Sequence, residues 1–594
     1  MNDSLKLLKE SGFLMLLLVV LLGLYTHMQY QQYPYCLNLC DTSIHLGMLM
    51  NDYVGNEPYQ DPILKGVYSV YPWTGMFLLA KLAKIMHLDP IKLFEFAGWL
   101  VISYALLLSY FAARSFGVSG IMLALFAFLE SVIMIRGQPW GILGPLVQSG
   151  THFLTFALLA FSFAAYLRNR RAGMISLIIS FLVFSQLHFF NTIYALSVLP
   201  LFFGIYYYVT REREAVIQFF IAAAYGVVSL FPTIWAWYLN GFKIQNPYVS
   251  LVGNTIFFRE ILGRLLSDWM SILLAVLLFI ALAQYFFYFR KVGFWKERNL
   301  ADLTVLAMLF AALLLGFNHL ILKPTLGFDI VPKRFLESFF IFIIPLVIAL
   351  SFARSKTLRL FDRIDGRIIF SFFAIALFII VGHMWTTDIN VRHGFGQKIW
   401  EFSRSDMANV TRFMFDYTNP DETIASTYAF GSVITALTGR KQIATHSEHT
   451  NIFADFDKRG LDISLLLYSS NPEIIRNVSD EYGVRYVLLH GGVGGEYQTS
   501  PKYEQVLRDN RVPYYKTNFN YGKCLERGHC PPVEIVYAGK GAISRAFISV
   551  FNESATVMYN NAKVYIYRKS APAMNLKPKT GDVFFIHRSR RFWR

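Results

Sequence analysis

Long apolar runs recur along this chain at about the length that a bilayer core demands, and short clusters of lysine and arginine separate them. About eleven runs qualify, near 11–30, 91–113, 117–135, 151–167, 173–189, 192–209, 215–238, 268–288, 301–322, 336–353 and 367–385. So many continuous runs leave too little polar surface for a soluble fold. Of the residues, 55% are hydrophobic and only 16% charged, where soluble domains carry roughly 25% charged residues. The expected fold is a polytopic α-helical membrane protein. The clusters Lys6/Lys9, Arg114, Arg168/Arg170/Arg171, Arg211/Arg213, Arg290/Lys291/Lys296 and Arg354/Lys356/Arg359 all fall on one side of the bilayer if the N-terminus is cytoplasmic. An odd number of spans then predicts an extracytoplasmic C-terminus, in a plasma membrane or its ER equivalent. The same clustering accounts for the formal charge of +16: the basic residues face anionic headgroups, so the partner they imply is the lipid bilayer and not a nucleic acid. The first run, from Gly12 to Tyr25, is followed by no small-residue cleavage site and reads as a retained anchor.

Two stretches need separate treatment. Residues 173–209 read as a tight hairpin broken at Gln186–Asn191. Residues 72–87 are apolar but short and carry Lys81 and Lys84, so they read as an interfacial helix. The predicted outer segments are a large first loop over 31–90, then 136–150, 239–267 and 323–335. From about 387 the long apolar runs stop. Runs at 423–426, 433–437, 474–482 and 486–490 alternate between strand-like and helical patterns, and 534–537, 546–551 and 563–567 look like strands. This predicts a transmembrane domain over 1–386 and a soluble extracytoplasmic α/β domain over 387–594. Cys36/Cys40 and Cys524/Cys530 fall on the same predicted side, where disulfides are the first expectation and metal ligation the second.

Chemistry is expected where ionisable groups meet the membrane boundary. Asp41 opens a helical pattern as Asp-Thr-Ser, a good N-cap signal; it also suits a general base or a metal ligand. His45 lies one turn further on the same side. Asp52, Glu57 and Asp61 follow and read as solvated. Glu130 sits inside a predicted span and calls for a partner, either Arg136 or a divalent metal; Mg²⁺ or Mn²⁺ suits oxygen ligands. His188 and Asn191 fall at the outer tip of the hairpin, where solvating the turn is the plainer role. Lys333 and Arg334 end an outer loop at a membrane entry, suited to headgroups or to a bound phosphate.

Asp41-x-x-x-His45, Asp52-Tyr53 and Tyr71-Pro72 before a new helix resemble the first outer loop of GT-C integral-membrane glycosyltransferases. The segment from Ser426 through Gly439-Arg440-Lys441, followed by Tyr482-Gly-Val-Arg-Tyr486, is similar to oligosaccharyltransferase catalytic subunits. Two departures stand out: Ser426-Thr-Tyr-Ala-Phe-Gly replaces their Trp-Trp-Asp-Tyr-Gly motif, and the second outer loop lacks their Asp-x-Glu. The resemblance implies transfer of a sugar or glycan, with inversion, from a polyprenyl-(di)phosphate donor to a glycan, lipid or protein acceptor. It implies Asp41 and His45 as catalytic residues and Lys333, Arg334 and His188 on the donor phosphate. If a divalent metal takes part, Asp41 and Glu130 are its expected ligands.

Two other classes compete. A transporter or lipid flippase would use Glu130 and the histidines as a proton relay, although no internal repeat supports it. A membrane scaffold would use its outer domain to hold a partner; the sequons at Asn409, Asn477 and Asn552 suit an exposed surface without selecting this reading.

Overall fold

The computed structural model describes residues 11–30, 41–136, 148–243, 245, 269–318, 335–354, 365–387, 404–445, 451–492, 494–519, 533–539, 541–559 and 562–570. The chain divides into two compact units. The first comprises Met1–Gln32, Glu95–Phe231 and Asn254–Gly396; the second comprises Tyr33–Phe94, Pro232–Gly253 and Gln397–Arg594.

A helix stands at each expected apolar run. These are Ser11–Tyr30, Pro90–Ser115, Gly120–Arg136, Gln148–Arg168, Arg170–Phe184, Phe189–Thr210, Glu214–Ser229 with Phe231–Leu239, Trp269–Val292, Leu300–Gly316, Ile341–Ala353 and Gly366–Thr387. Among the described residues, 6 helices are long and apolar enough to cross a membrane. Their outward faces carry large exposed side chains such as Phe220, Phe279 and Phe286, as a lipid-facing surface does. Aromatic and small residues fill the interior. Phe163 stacks on Phe202 with centroids 4.1 Å apart. Gly173 lets two antiparallel helices touch backbone to side chain, because a Cβ there would lie 2.2 Å from the Tyr166 Cα. A buried ion pair ties the bundle further: Arg354 Nε donates to both Asp302 oxygens at 3.0 and 3.1 Å, and the Tyr285 hydroxyl donates to Oδ1 at 3.1 Å.

The second unit is α/β. Strands β1 (Thr423–Ser426), β2 (Lys441–Gln442), β3 (Val484–His490), β4 (Tyr497–Thr499), β5 (Tyr514–Phe519), β6 (Val533–Ala538), β7 (Phe551–Tyr559) and β8 (Ala562–Lys569) form two sheets. The larger has the order β2-β1-β3-β8-β7 and the smaller β4-β6-β5. β1 pairs in parallel with β2 and β3, and β8 runs antiparallel to β3 and β7. Helix Pro472–Tyr482 ends on Gly483 at φ 68°, which turns the chain directly into β3. Residues 433–437 and 474–482 are helical. The run 546–551 is not the expected strand: Ser544 caps a helix over Arg545–Val550 by accepting from the Phe547 N–H at 3.0 Å, and β7 begins only at Phe551. A six-residue apolar run carries too little periodicity to choose between the two states, and here the cap decides.

The first loop completes this unit. Its helix Asp41–Val54 packs on helix Tyr428–Thr438. Gly439, at φ 70°, allows that approach, since a Cβ there would lie 2.8 Å from the Met50 carbonyl oxygen. Leu64 bridges Gln442, and the Gln442 N–H donates to the Ile63 carbonyl at 2.6 Å, so loop residues cover the open edge of β2. Arg440 is buried and donates to the carbonyls of Thr438, Met414 and Thr418, the last two at the end of helix Arg404–Tyr417. The Gly-Arg pair singled out from the sequence therefore closes helices, and the bonds Arg440 makes to described residues go to carbonyls and the Thr418 hydroxyl.

Candidate functional site

In the first unit the break at Gln186–Asn191 is built by one histidine. His188 is extended, with φ −161°, and caps helix Phe189–Thr210: its Nδ1 accepts from the Phe190 N–H at 3.2 Å. That bond fixes the tautomer, because an accepting Nδ1 leaves the proton of the neutral ring on Nε2 as a donor. His152 lies beside it, ring centroids 5.2 Å apart. The Asn191 amide nitrogen donates to the Thr151 carbonyl at 3.4 Å, so its Oδ1 is the acceptor facing His152 Nδ1 at 2.5 Å. His152 thus carries its proton on Nδ1 and presents a basic Nε2. Two adjacent rings hold opposite tautomers, one offering a donor and the other an acceptor.

All three polar residues are buried, Asn191 completely. The expectation that His188 and Asn191 solvate a turn is corrected: the helix start needs a cap inside the bundle, and Asn191 is held by its neighbours. His152 carried no signal beyond being an ionisable residue in an apolar run, which is itself a reason to suspect a site. The corner is walled by aromatics. Phe339 stacks on Tyr194 at 4.1 Å and lies 4.9 Å from the His152 ring; Phe335 meets Phe190 edge-on at 5.8 Å. Phe335–Phe340 is a single π-helical turn, a form often found at functional sites. Phe335 directly follows Lys333-Arg334 in the chain. Those two residues lie outside the described residues.

Glu130 is fully buried in helix Gly120–Arg136, and neither carboxylate oxygen has a hydrogen-bond partner among the described residues. The side chain of Arg136 lies outside the described residues.

In the second unit, helix Asp41–Val54 carries Asp41, His45 and Asp52 on one face, since intervals of four and eleven residues return within about 40° on a helix. The Asp41 side chain lies outside the described residues. His45 is buried, its ring edge-on to Tyr71 with centroids 6.0 Å apart. Glu57 is exposed as expected, but Asp52 and Asp61 are buried, which corrects their reading as solvated. Asp61 works as a turn-former: its Oδ1 accepts from the Ile63 and Leu64 N–H groups at 2.9 and 2.7 Å, and Oδ2 from Asn451 Nδ2 at 2.8 Å. Its carbonyl accepts from the buried Lys441 Nζ. Neither Asp52 oxygen accepts a hydrogen bond from a described residue. Burial pushes its carboxyl up to about 8, and the charges of Lys441, Lys81 and Lys84 restrain the rise only in part. Burial brings Lys441 down to about 8 against the pull of Asp61 and Asp52. Sequence gave no sign of this pair, whose members lie far apart in the chain.

Among the described residues no three of His, Cys, Asp and Glu gather to hold a metal ion. Of the two expected ligands of Mg²⁺ or Mn²⁺, the described side chains include only that of Glu130. The four cysteines lie outside the described residues.

No protein-family model and no curated protein matches this chain. Among solved structures it is similar to the oligosaccharyltransferase of Archaeoglobus fulgidus, at 14% identity over 80% of this chain and 68% of that one, with a TM-score of 0.47. It is also similar to ArnT from Cupriavidus metallidurans, at 10% identity over 88% of this chain and 97% of that one, TM-score 0.46. A third is the arabinofuranosyltransferase AftD from Mycobacteria, at 12% identity over 89% and 42%, TM-score 0.45.

Proposed function

We propose that this chain transfers a sugar or glycan from a polyprenyl-(di)phosphate donor to an acceptor hydroxyl or amide at the outer membrane face. The observation that carries the reading is the buried His152–His188–Asn191 corner, walled by Phe335, the residue that follows Lys333-Arg334 in the sequence. Polar rings of fixed tautomer inside an apolar bundle suit one polar headgroup on an apolar tail.

In this reading, the His188 Nε2–H, Arg334 and Lys333 hold the donor phosphate. The acceptor oxygen or nitrogen attacks the anomeric carbon from the face opposite the phosphate. The carbon–oxygen bond to phosphate breaks, and its electron pair leaves with the phosphate oxygen, whose growing charge meets those donors. Asp41 takes the acceptor proton, with His45 a turn away to orient it. In-line attack inverts the anomeric centre. Fixed donors that need no reorganisation supply most of the acceleration.

The test is the purified protein in proteoliposomes with a short-chain polyprenyl-phosphate sugar. Release of polyprenyl phosphate together with glycosylated acceptor is expected, and Asp41→Asn should stop it at unchanged expression. An active Asp41→Asn protein removes the base assignment; no transfer from any polyprenyl-linked donor removes the reading. The buried Glu130, whose carboxylate accepts no hydrogen bond from a described residue, favours a second reading, proton-coupled transport. A pH gradient driving uptake into the same vesicles, abolished by Glu130→Gln, would select it.

A further inference from the structure

The first loop ends in a helix, Thr74–Ile85, that is apolar on two opposite faces. One face, Met76, Ala80 and Ala83, is buried, and the helix packs against helix Asp41–Val54. The small alanines let the two backbones lie close. The opposite face carries Leu78, Leu82 and Ile85, spaced by four and three residues, and these are 61%, 42% and 77% exposed. Met86, just past the helix end, is 56% exposed as well. A stripe of large aliphatic side chains open to water is unstable on a soluble surface and calls for a cover.

Charge and chain length identify that cover. The helix has no acidic residue; its two charges are Lys81 and Lys84. Both ammonium groups lie over aromatic rings: Lys81 Nζ sits 5.0 Å from the Phe77 centroid and Lys84 Nζ 5.7 Å from that of Tyr53. Cations borne on apolar stems beside an aliphatic stripe are what an interface between acyl chains and phosphates accommodates. The tether is short and ordered. Leu88 N–H donates to the Ala83 carbonyl at 2.9 Å, and Asp89 Oδ1 accepts from the Ile91 N–H at 2.8 Å to start the next helix. That helix, Pro90–Ser115, is long and apolar enough to cross a membrane. From Ile85 to Pro90 the chain reaches at most about 18 Å, so the stripe cannot lie far from the bilayer that this helix enters.

We propose that helix Thr74–Ile85 docks in the bilayer interface, with Leu78, Leu82 and Ile85 among the acyl chains and Lys81 and Lys84 on the phosphates of anionic lipids. This goes beyond an interfacial location: it names the lipid class and gives the docking a task. Helix Asp41–Val54 is packed on the docked helix, so membrane contact sets the height of Asp41 and His45 above the acyl chains. The inference rests on the membrane reading of the chain and not on sugar transfer, so either can fail alone.

The test uses the full chain carrying Leu82→Cys, labelled with an environment-sensitive dye and reconstituted in phosphatidylcholine vesicles with or without phosphatidylglycerol. The signal is read against the same chain without the substitution. In phosphatidylglycerol vesicles the label should be blue-shifted and quenched by acyl-brominated lipid. Adding Lys81→Glu and Lys84→Glu should shift the docked fraction toward water, by about fivefold for each lysine, and should matter much less in phosphatidylcholine alone. Ile85→Cys gives the same readout if the first variant folds poorly. A label that stays aqueous in both vesicles overturns the docking; one that inserts regardless of headgroup charge overturns the anionic-lipid assignment.

Discussion

His188 does two jobs with its two ring nitrogens, and the two can be separated. Nδ1 caps helix Phe189–Thr210, and Nε2–H points its proton elsewhere. Asparagine is among the best N-caps, and its Oδ1 occupies nearly the place of Nδ1. His188→Asn therefore keeps the cap, within a few tenths of a kcal/mol, and removes only the Nε2 donor. His188→Ala removes both, with a cap loss of about 1 kcal/mol and a cavity against Phe190 and His152 besides. A hydrogen bond to a charged phosphate contributes about 1.5–3 kcal/mol. At about 1.4 kcal/mol per decade, His188→Asn should lower transfer from a polyprenyl-linked donor roughly 10- to 150-fold while its thermal midpoint barely moves. His188→Ala should lower both. The assay pairs initial transfer rates in proteoliposomes with unfolding in detergent. An Asn variant with wild-type rate refutes the phosphate-donor role, and a rate loss that tracks the loss of stability refutes the separation of the two nitrogens.

Arg354→Met should destabilise the bundle by about 3–5 kcal/mol, because it strands the fully buried Asp302 with Tyr285 alone. Asp302→Asn should cost less, since Arg354 keeps a partly exposed edge, and the double variant should fall well short of additivity in a detergent-unfolding cycle. The second unit should show a stability minimum near pH 8. Asp52 has its folded value raised to about 8, so its contribution is lost as pH rises from about 4 to 8; Lys441, lowered to about 8, relieves its penalty as pH rises from there toward its ordinary value. Thermal midpoints against pH should lose the acid-side slope in Asp52→Asn. Gly439→Ala should destabilise the unit by about 1 kcal/mol or more, as it meets a positive φ and the Met50 carbonyl together; a neutral midpoint would mean the first-loop helix is not seated there.

Much of the fold was legible because membrane helices announce themselves by length. Every apolar run became a helix, and even the break near residue 188 was visible as polar residues in an otherwise continuous run. Short elements were less legible: 546–551 reads equally as strand or helix until Ser544 is seen to cap it. The site was legible only in part. Asp41, His45 and His188 stand at membrane boundaries predicted from the sequence, where an ionisable residue is conspicuous. His152 was one histidine in an apolar run, given meaning only by Asn191 and His188 from a distant helix. Asp52 and Asp61 looked solvated because their burial is supplied by residues near 441 and 451, and no local pattern encodes a neighbour so far along the chain.

That distance has a consequence for how the protein is made. Lys441 meets the Asp61 carbonyl across 380 residues, and Asn56 meets Gly439 across 383. Residues of the first loop leave the ribosome with their partners still unmade. At about 5–20 residues per second, the wait is on the order of 20–80 seconds. Throughout it, the loop's apolar faces and its buried-to-be carboxylates must be held in some other state, by the membrane surface or a chaperone. A chain stopped between residues 387 and 440 would have its apolar helices but no finished first loop. Synthesis past residue 441, rather than insertion of the first helices, is then the step that lets this loop fold.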